Sequence, residues 1–440
     1  MSLHGQLLKL SAQRKLIRVG VIGAGKFGSM FLSQAALIPG VHVMGIADLN
    51  VAQAKSNLLN SHWNAEKFGA SSFDEAIRNK TTLVCDNYEE LVTHPAIDII
   101  VEATGNPIVA ADHILTAFEN GKHVINATVE LDAFAGLPVA RKAKSAGVIY
   151  SMAYGDQPAM TCDLVDWART CGFKVAAAGR GHKWHPDYRY STPETVWKHW
   201  GVTLEQVETG RLNPKMFNSF LDGTKPAIES AAIANATGLD VPRNGLTYPV
   251  GSIDDIASLM RPAVHGGVLE KSGMVEVING LREDGSEFGY NIRMGVFVVV
   301  EAETEYQRKC FGEYKVTTDD TGRFICNYKR WHLIGLELGM SVANVALRGE
   351  ATGVAKEMIG DVIAVAKRDI VAGEILDGEG GYTVAGQLRP ATVTLNGQML
   401  PLGLTGGVKM VRDVARDQIL TYEDVELDES LTAVKLRREL

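Results

Sequence analysis

A glycine-rich turn near the start of the chain constrains the fold more than any other feature. The apolar run at residues 18–22 leads directly into Gly23, Gly25 and Gly28, and a helical pattern follows. In this spacing the first glycine permits a tight turn, the second lets a phosphate approach the backbone, and the third lets the helix pack closely on the strand. The sequence therefore predicts a strand–turn–helix unit that begins a parallel sheet.

The same alternation of strands and helices continues for about 150 residues. Further strand-like runs, apolar almost throughout, lie at residues 41–48, 97–104, 122–127 and 147–152. Strands that are covered by helices on both faces have this composition. We predict an α/β fold with an N-terminal Rossmann domain over residues 1–153, built on a doubly wound parallel sheet.

The predicted ligand of this domain is a nicotinamide dinucleotide. The helix after the glycine turn offers free N–H groups to a pyrophosphate, and Asp48 ends the second strand, where an acid can accept hydrogen bonds from a ribose. Asp48 favours NAD by charge, whereas Lys26, Asn50 and Lys55 could offset it, so NAD and NADP both remain open. The predicted cofactor contacts are Gly23, Ala24, Gly25, Lys26, Phe27, Gly28, Asp48, Thr104, Gly105, Asn106 and Asn126.

The remaining chain predicts two more domains. Residues 154–350 mix helical patterns with alternating strands, which indicates an α+β catalytic domain, and the helix-like segment 331–349 is expected to pack back on the cofactor domain. Residues 351–440 contain a weak internal repeat and resemble the small β-rich SAF domain. An oligomerisation or lid module without chemistry is the alternative for this last domain.

Composition limits the partners and the compartment. The formal net charge is −8, so no global attraction to nucleic acid or to an anionic membrane is expected. The five cysteines form no Cys-x-x-Cys pair, which is typical of reduced thiols in a cytoplasmic protein. The first residues lack the pattern of a signal peptide, and no apolar run approaches the length of a membrane span.

A local basic segment predicts an anionic substrate. Arg180, His182, Lys183 and His185 lie close together in the sequence, and in an acidic chain this cluster suggests a small phosphorylated substrate. The His-x-x-His spacing is weak evidence for a metal, because no third ligand accompanies the pair. A solvated loop is the alternative.

Acid–base chemistry is predicted from three places. Asp156 follows the last Rossmann strand, where its carboxylate would face the nicotinamide. Asp222 precedes a helix on which Lys225 and Glu229 lie four positions apart and can pair. A lysine with a tuned pKa can protonate a developing alkoxide. These four residues and Lys183 are the predicted catalytic groups, and helix capping with a surface ion pair is the alternative for the helix.

Several motifs together resemble one family, and the resemblance covers essentially the whole chain. The glycine turn, the Glu-Ala-Thr-Gly-Asn run at 102–106, the Asp-Gly-Thr-Lys-Pro-Ala-Ile-Glu-Ser run at 222–230 and the SAF-like tail are similar to 1-deoxy-D-xylulose 5-phosphate reductoisomerase-like oxidoreductases, which are related to homoserine dehydrogenases. The resemblance implies a homodimer that uses NADPH to convert this sugar phosphate to 2-C-methyl-D-erythritol 4-phosphate, in the non-mevalonate route of isoprene biosynthesis.

The resemblance also implies a divalent cation, Mg²⁺ or Mn²⁺, at the substrate. The chain lacks the Asp-Ser-Glu metal motif of the standard reductoisomerases, so Glu130, Asp156, Asp222 or Glu229 would have to supply any ligands. Two other functions remain as alternatives. One is a homoserine dehydrogenase-like or sugar-acid dehydrogenase activity, and the other is an NAD(P)-binding redox sensor without turnover.

Overall fold

The computed structural model describes residues 2–210 and 212–440. The described chain divides into two compact units, one formed by residues 2–160, 333–354 and 439 and the other by the remaining described residues. The three-domain division with boundaries at 153 and 350 stays a prediction. No helix among the described residues is long and apolar enough to cross a bilayer.

The first unit is built on a six-stranded sheet whose strands all run parallel. The strands are β1 (Ile17–Ile22), β2 (Val41–Ala47), β3 (Leu83–Cys85), β4 (Ile99–Glu102), β5 (His123–Asn126) and β6 (Tyr150–Met152). Their spatial order, β3-β2-β1-β4-β5-β6, is that of the doubly wound Rossmann fold. The order reverses between β1 and β4, which places a ligand crevice at the carboxyl ends of these two strands.

Helices cover this sheet and continue into the second unit. They are α1 (Leu3–Ala12), α2 (Lys26–Ala35), α3 (Val51–Asn60), α4 (Phe73–Asn79), α5 (Tyr88–Thr93), α6 (Pro107–Glu119), α7 (Val129–Ser145) and α8 (Gln157–Thr170). The core of the first unit forms where the β-branched residues of β1 and β4 meet Phe31 and Leu32 of α2. Burial on both faces explains why the strands contain almost no polar residues.

The second unit contains a mixed four-stranded sheet in the order β10-β9-β7-β8. Strand β7 (Lys174–His182) runs parallel to β8 (Met274–Asn279) and antiparallel to β9 (Val296–Glu301), which pairs with β10 (Phe324–Lys329). The helices here are α9 (Val196–Trp200), α10 (Leu204–Gly210), α11 (Pro214–Leu221), α12 (Thr224–Thr237), α13 (Ile256–Leu259) and α14 (Glu305–Glu313).

Helix α12 is the central helix of the second unit. It packs against β7 and β8 of the mixed sheet and also against the C-terminal strands β11 (Gly360–Ala366) and β12 (Val384–Pro390). Within α12, all of which the structure describes, every residue except Lys225 is buried. Small residues on all sides of the helix permit this packing.

Helix α15 (Gly339–Arg348) returns to the first unit, where Val342 and Val345 join the Rossmann core. The C-terminal part then adds the antiparallel pair β11–β12, α16 (Ala391–Asn396), the short pair β13 (Lys409–Met410) and β14 (Val425–Glu426), and α17 (Thr432–Arg438). The predicted fold class is confirmed: a parallel Rossmann sheet, a mixed sheet with helices, and small antiparallel sheets at the C-terminus.

Candidate active site

The glycine turn is open at one position and closed at the other two. Gly23 has φ +94°, and a Cβ atom there would lie 2.8 Å from the carbonyl oxygen of Ala103. A Cβ at Gly28 would overlap the carbonyl oxygen of Gly23, so α2 packs directly on the turn. A Cβ at Gly25 would meet no atom within 4 Å. The free space at Gly25, beside the N-terminus of α2, fits a pyrophosphate.

Asp48 connects the end of β2 to this turn. Its carboxylate accepts hydrogen bonds from the N–H groups of Ala24 and Asn50, both at 2.8 Å. Asn57 also donates to the carbonyl oxygen of Ala24 at 2.8 Å. Each oxygen of Asp48 retains accepting capacity, so the carboxylate can still bind a ribose hydroxyl. These residues fit a nicotinamide dinucleotide, whose adenosine ribose would be held by Asp48.

The predicted contacts after β4 form an exposed turn that rests on a buried acid. The Glu102 carboxylate accepts hydrogen bonds from the hydroxyls of Thr104, at 2.5 Å, and Thr128. Gly105 donates its N–H to Thr128 at 3.0 Å. Asn106 accepts the N–H of Ile108 and so caps α6. Thr104, Gly105 and Asn106 are exposed, whereas Glu102, which orders them, is fully buried.

Asn126, at the end of β5, is held inside the domain. Its amide donates at 2.9 Å both to Asp132 and to the Tyr150 hydroxyl, which itself donates to Asp132 at 2.9 Å. Burial, together with the smaller effects of the nearby Glu130 and Asp156, raises the pKa of Asp132 from 3.8 to about 7. A buried, protonatable carboxyl therefore lies behind the end of β5.

This network predicts a pH-dependent stability. The pKa of Asp132 is higher in the folded chain than in the unfolded chain. The contribution of Asp132 to the free energy of unfolding therefore declines as pH rises from about 4 to about 7. Between about pH 5 and pH 8 the wild type should lose about 2–3 kcal/mol more free energy of unfolding than Asp132→Asn. Urea unfolding of both proteins at the two pH values measures this, and equal pH dependence would contradict it.

Asp156 immediately precedes α8, the helix that leaves the Rossmann sheet. Its Oδ1 accepts the N–H of Gln157 at 2.9 Å, and the side chain is buried. Its charge reaches Asp132, whose pKa it raises. The structure thus places this predicted catalytic acid with Asp132 and Glu130 in the first unit.

In the second unit Arg180 and Glu229 form a buried ion pair. Arg180 lies on β7 and Glu229 on α12, and their side chains are 3% and 2% exposed. His182, two residues along β7, is also buried, and its Nε2 lies 2.8 Å from the carbonyl oxygen of Phe220. Burial and the adjacent Arg180 hold the pKa of His182 well below its usual value. His182 is therefore neutral near pH 7 and adds no positive charge to the cluster.

Lys183 shares a carboxylate with Arg293, a residue that sequence reasoning missed. The Lys183 ammonium lies 3.6 Å from Glu287, and Arg293 donates to the same carboxylate at 2.7 Å. Burial and the charge of Arg293 lower the pKa of Lys183. His185 instead caps the short helix that begins at Pro186. The basic cluster of the structure is thus Arg180, Lys183 and Arg293.

A cavity of about 390 Å³ lies beside Asp222 in the second unit. One wall is the stacked pair Trp184 and Tyr248, whose ring centroids lie 4.5 Å apart. Asp222 forms a buried ion pair at 3.0 Å with Lys367, which also donates to the carbonyl oxygen of Gly381 at 2.9 Å. The C-terminal residues therefore shape this cavity and stabilise one of the predicted catalytic acids.

The predicted metal has no evident site made by the protein alone. Among residues 2–210 and 212–440, no three His, Cys, Asp or Glu side chains are grouped so that they could hold a metal ion. The four acids that were candidates are engaged elsewhere, and Asp222 and Glu229 in particular form ion pairs with Lys367 and Arg180. The side chains present do not fit such a site.

Two family models match separate parts of the chain. Residues 17–127 match the NAD-binding Rossmann fold of the GFO/IDH/MocA oxidoreductase family, and residues 155–338 match the catalytic domain of oxidoreductase DRL. Both models describe oxidoreductases, and each covers less than half of the chain. The NAD-binding match contains Gly23–Gly28 and Asp48, and the DRL match contains Arg180, Lys183 and Glu229.

Individual relatives match this chain over shorter stretches or at low identity. Homoserine dehydrogenases of Methylobacillus glycogenes and Pseudomonas aeruginosa are 42% and 38% identical over 69 residues, which are 15% and 16% of this chain and 17% and 16% of theirs. The chain thus spans about a sixth of the curated relatives it matches.

Solved structures are similar at lower identity. The putative oxidoreductase yvaA of Bacillus subtilis is 12% identical with a TM-score of 0.39, covering 78% of this chain and 91% of its own. Myo-inositol dehydrogenase of Lactobacillus casei, in complex with NAD(H) and myo-inositol, is 14% identical with a TM-score of 0.30, covering 41% and 50%.

Proposed function

We propose that this chain is an NAD(P)H-dependent oxidoreductase, and that it uses NADPH in particular to convert 1-deoxy-D-xylulose 5-phosphate to 2-C-methyl-D-erythritol 4-phosphate, a step of isoprene precursor synthesis. The observation that carries the proposal is the basic cluster in the DRL-matched region. Arg180, Lys183 and Arg293 contribute three cations there, against the carboxylates of Glu229 and Glu287. In a chain of net charge −8, this local excess suits a phosphorylated substrate.

The proposed chemistry needs an acid as well as an anion site. The proposed conversion first breaks one C–C bond of the ketose phosphate and forms another, which gives a branched aldehyde. When bound, the dihydronicotinamide would supply a hydride to the aldehyde carbon, and the aldehyde oxygen takes a proton. Lys225 is the proposed donor, since it is the one residue of α12 that is not fully buried and Lys183 is assigned to the phosphate. No step is assigned to a metal ion, since the side chains present do not fit one.

The proposal is tested by NADPH oxidation with purified full-length protein. We expect turnover with 1-deoxy-D-xylulose 5-phosphate and none with the sugar that lacks the phosphate. Aspartate semialdehyde tests the second candidate, a homoserine dehydrogenase-like activity, which the 69-residue matches favour. Turnover of aspartate semialdehyde or of an aldose acid alone would replace the proposed reaction, and cofactor binding without any turnover would favour the redox sensor.

Lys183→Ala should selectively weaken the binding of the phosphorylated substrate. A charge-assisted hydrogen bond contributes about 1.5–3 kcal/mol, so KM for this substrate should rise roughly tenfold to a hundredfold. The affinity for NADPH, measured by fluorescence titration, should not change. Lys198→Ala, which removes an exposed lysine of α9, serves as the control. An unchanged KM in Lys183→Ala would contradict the phosphate assignment.

Asp48→Asn should shift cofactor preference toward the phosphorylated form. The amide oxygen can still accept the N–H of Ala24, whereas the negative charge that repels a 2′-phosphate is removed. We expect the ratio of the Kd values for NADPH and NADH to fall about tenfold, since each tenfold step corresponds to about 1.4 kcal/mol. An unchanged ratio would show that Asp48 does not face the adenosine ribose.

The proposed compartment, oligomeric state and partners rest on the sequence analysis. The protein is proposed to work as a cytoplasmic homodimer with a small phosphorylated substrate and neither nucleic acid nor membrane as a partner. Its C-terminal strands are proposed to form a SAF-like domain that shapes the cavity beside Asp222. Light scattering of the purified protein tests the homodimer, and a monomer that retains full turnover would contradict it.

A further inference from the structure

A second cavity lies at the edge of the Rossmann sheet opposite the glycine turn. Its volume is about 640 Å³, and Ile17, Ile99 and His123 line it. These are the first residues of β1, β4 and β5, whereas the glycine turn follows the last residue of β1. The length of β1 therefore separates this cavity from the predicted cofactor site, a distance of about 20 Å at roughly 3.3 Å per residue.

The walls of the cavity are mostly aliphatic. Leu10 comes from α1, Ile77 from α4 and Leu347 from α15, and Leu16 precedes β1. These four side chains are not fully buried, and Ile77 is 42% exposed. Apolar area is thus left in contact with water at a concave site, an arrangement typical of ligand pockets.

The rim of the cavity is positively charged. Arg14, Lys15 and Arg18 line it together with a single carboxylate, Asp98. Arg18 donates to Asp98 at 3.2 Å, whereas Arg14 and Lys15 are exposed and have no carboxylate partner among the described residues. In an acidic protein, two unpaired cations beside an apolar cavity are complementary to a molecule with an anionic end.

His123 adds a neutral donor at the same place. Its Nδ1 accepts the N–H of Ile149 at 3.1 Å, which leaves Nε2–H as the second ring position. Burial lowers the pKa of His123, so the ring is neutral near pH 7. A neutral imidazole can donate this N–H to an anionic oxygen without a change in its own charge.

We infer that this cavity binds an amphiphilic anion, with an aliphatic chain against Leu10, Ile77 and Leu347 and a phosphate or carboxylate head at Arg14 and Lys15. Its volume falls within the range of about 300–1,000 Å³ that is usual for small-molecule sites. The site is independent of the proposed reaction, because none of the residues that line it belongs to the glycine turn, the basic cluster or the cavity beside Asp222.

Calorimetry on the full-length protein tests the inference with n-octyl phosphate as the probe. Inorganic phosphate supplies the head alone and 1-octanol the chain alone. We expect n-octyl phosphate to bind about tenfold or more tightly than either fragment, since both ends of the cavity then contribute. n-Octanoate should bind as well if the site accepts any anionic head. Saturating NADH should not displace the probe, and displacement would place the probe in the dinucleotide site and overturn the inference.

Three variants and a control locate the probe. Lys15→Glu and Arg14→Asn each alter one unpaired cation, and asparagine tolerates the left-handed backbone of Arg14, which has φ +57°. Ala346→Trp fills the cavity from α15. Each of these three variants should lower the affinity for n-octyl phosphate about tenfold or more. Lys9→Glu makes the same charge change on α1 outside the cavity lining and should leave the affinity unchanged. Equal losses in Lys9→Glu and Lys15→Glu, or an unaltered affinity in Ala346→Trp, would overturn the inference.

Discussion

Replacing Gly25 with valine is expected to abolish NADH binding and to leave the fold intact. A side chain at this position meets no protein atom within 4 Å, so the folded chain has room for it. The same space is where a pyrophosphate would approach the N-terminus of α2. The affinity for NADH should fall by roughly a hundredfold or more, because the phosphates lose the helix N–H groups as a whole. Fluorescence titration measures the affinity, and thermal unfolding monitors the fold.

Gly28→Ala provides the contrasting variant in the same turn. Its Cβ atom would overlap the carbonyl oxygen of Gly23, so this substitution strains the folded backbone at the turn. We expect a lower Tm for Gly28→Ala and an unchanged Tm for Gly25→Val. An unchanged NADH affinity in Gly25→Val would contradict the assignment of this turn as the pyrophosphate site.

The largest expected loss of stability comes from breaking the Arg180–Glu229 pair. Both side chains are almost fully buried, so Glu229→Ala leaves a buried guanidinium without its carboxylate. Removal of one partner from a buried pair typically costs about 3–5 kcal/mol of unfolding free energy. Urea denaturation should show a loss of this size. A lower kcat in the same variant would then not by itself identify Glu229 as a catalytic group.

Two controls separate charge from packing at this pair. The double variant Arg180→Met, Glu229→Met replaces both charges with apolar side chains and should recover most of the lost stability. Glu305→Ala breaks the exposed pair of Glu305 with Arg308 on α14 and should change the unfolding free energy by about 0.5 kcal/mol or less. If Glu229→Ala lowers the unfolding free energy no more than Glu305→Ala does, the buried pair is not what stabilises β7 against α12.

The position of the predicted cofactor residues in the fold could be derived because these residues are local in sequence. Gly23, Gly25, Gly28 and Asp48 follow the ends of two consecutive strands, and a parallel sheet brings such ends to one edge. Strand β3 was not predicted, because its three residues are too few to show a period. The fold class still followed, since the alternation of the remaining strands and helices determines it.

The second unit was less predictable because its polar partners are distant in sequence. Arg180 and Glu229 are 49 positions apart, and Lys367 and Asp222 are 145 positions apart. Sequence spacing alone cannot pair such residues, and it left Arg293 and Lys367 unnoticed. The sequence analysis predicted His182 as a phosphate contact, whereas in the structure His182 is buried and neutral beside Arg180. Burial of this kind follows from tertiary packing and not from local composition.

The most direct test of the proposed reaction follows the hydride itself. NADPH that carries deuterium at the transferable position of the nicotinamide ring is incubated with the full-length protein and 1-deoxy-D-xylulose 5-phosphate, and the product is analysed by mass spectrometry. We predict that one deuterium appears in 2-C-methyl-D-erythritol 4-phosphate and that Gly25→Val transfers none. Consumption of NADPH without label in this product, or no consumption with any phosphorylated ketose, would contradict the account.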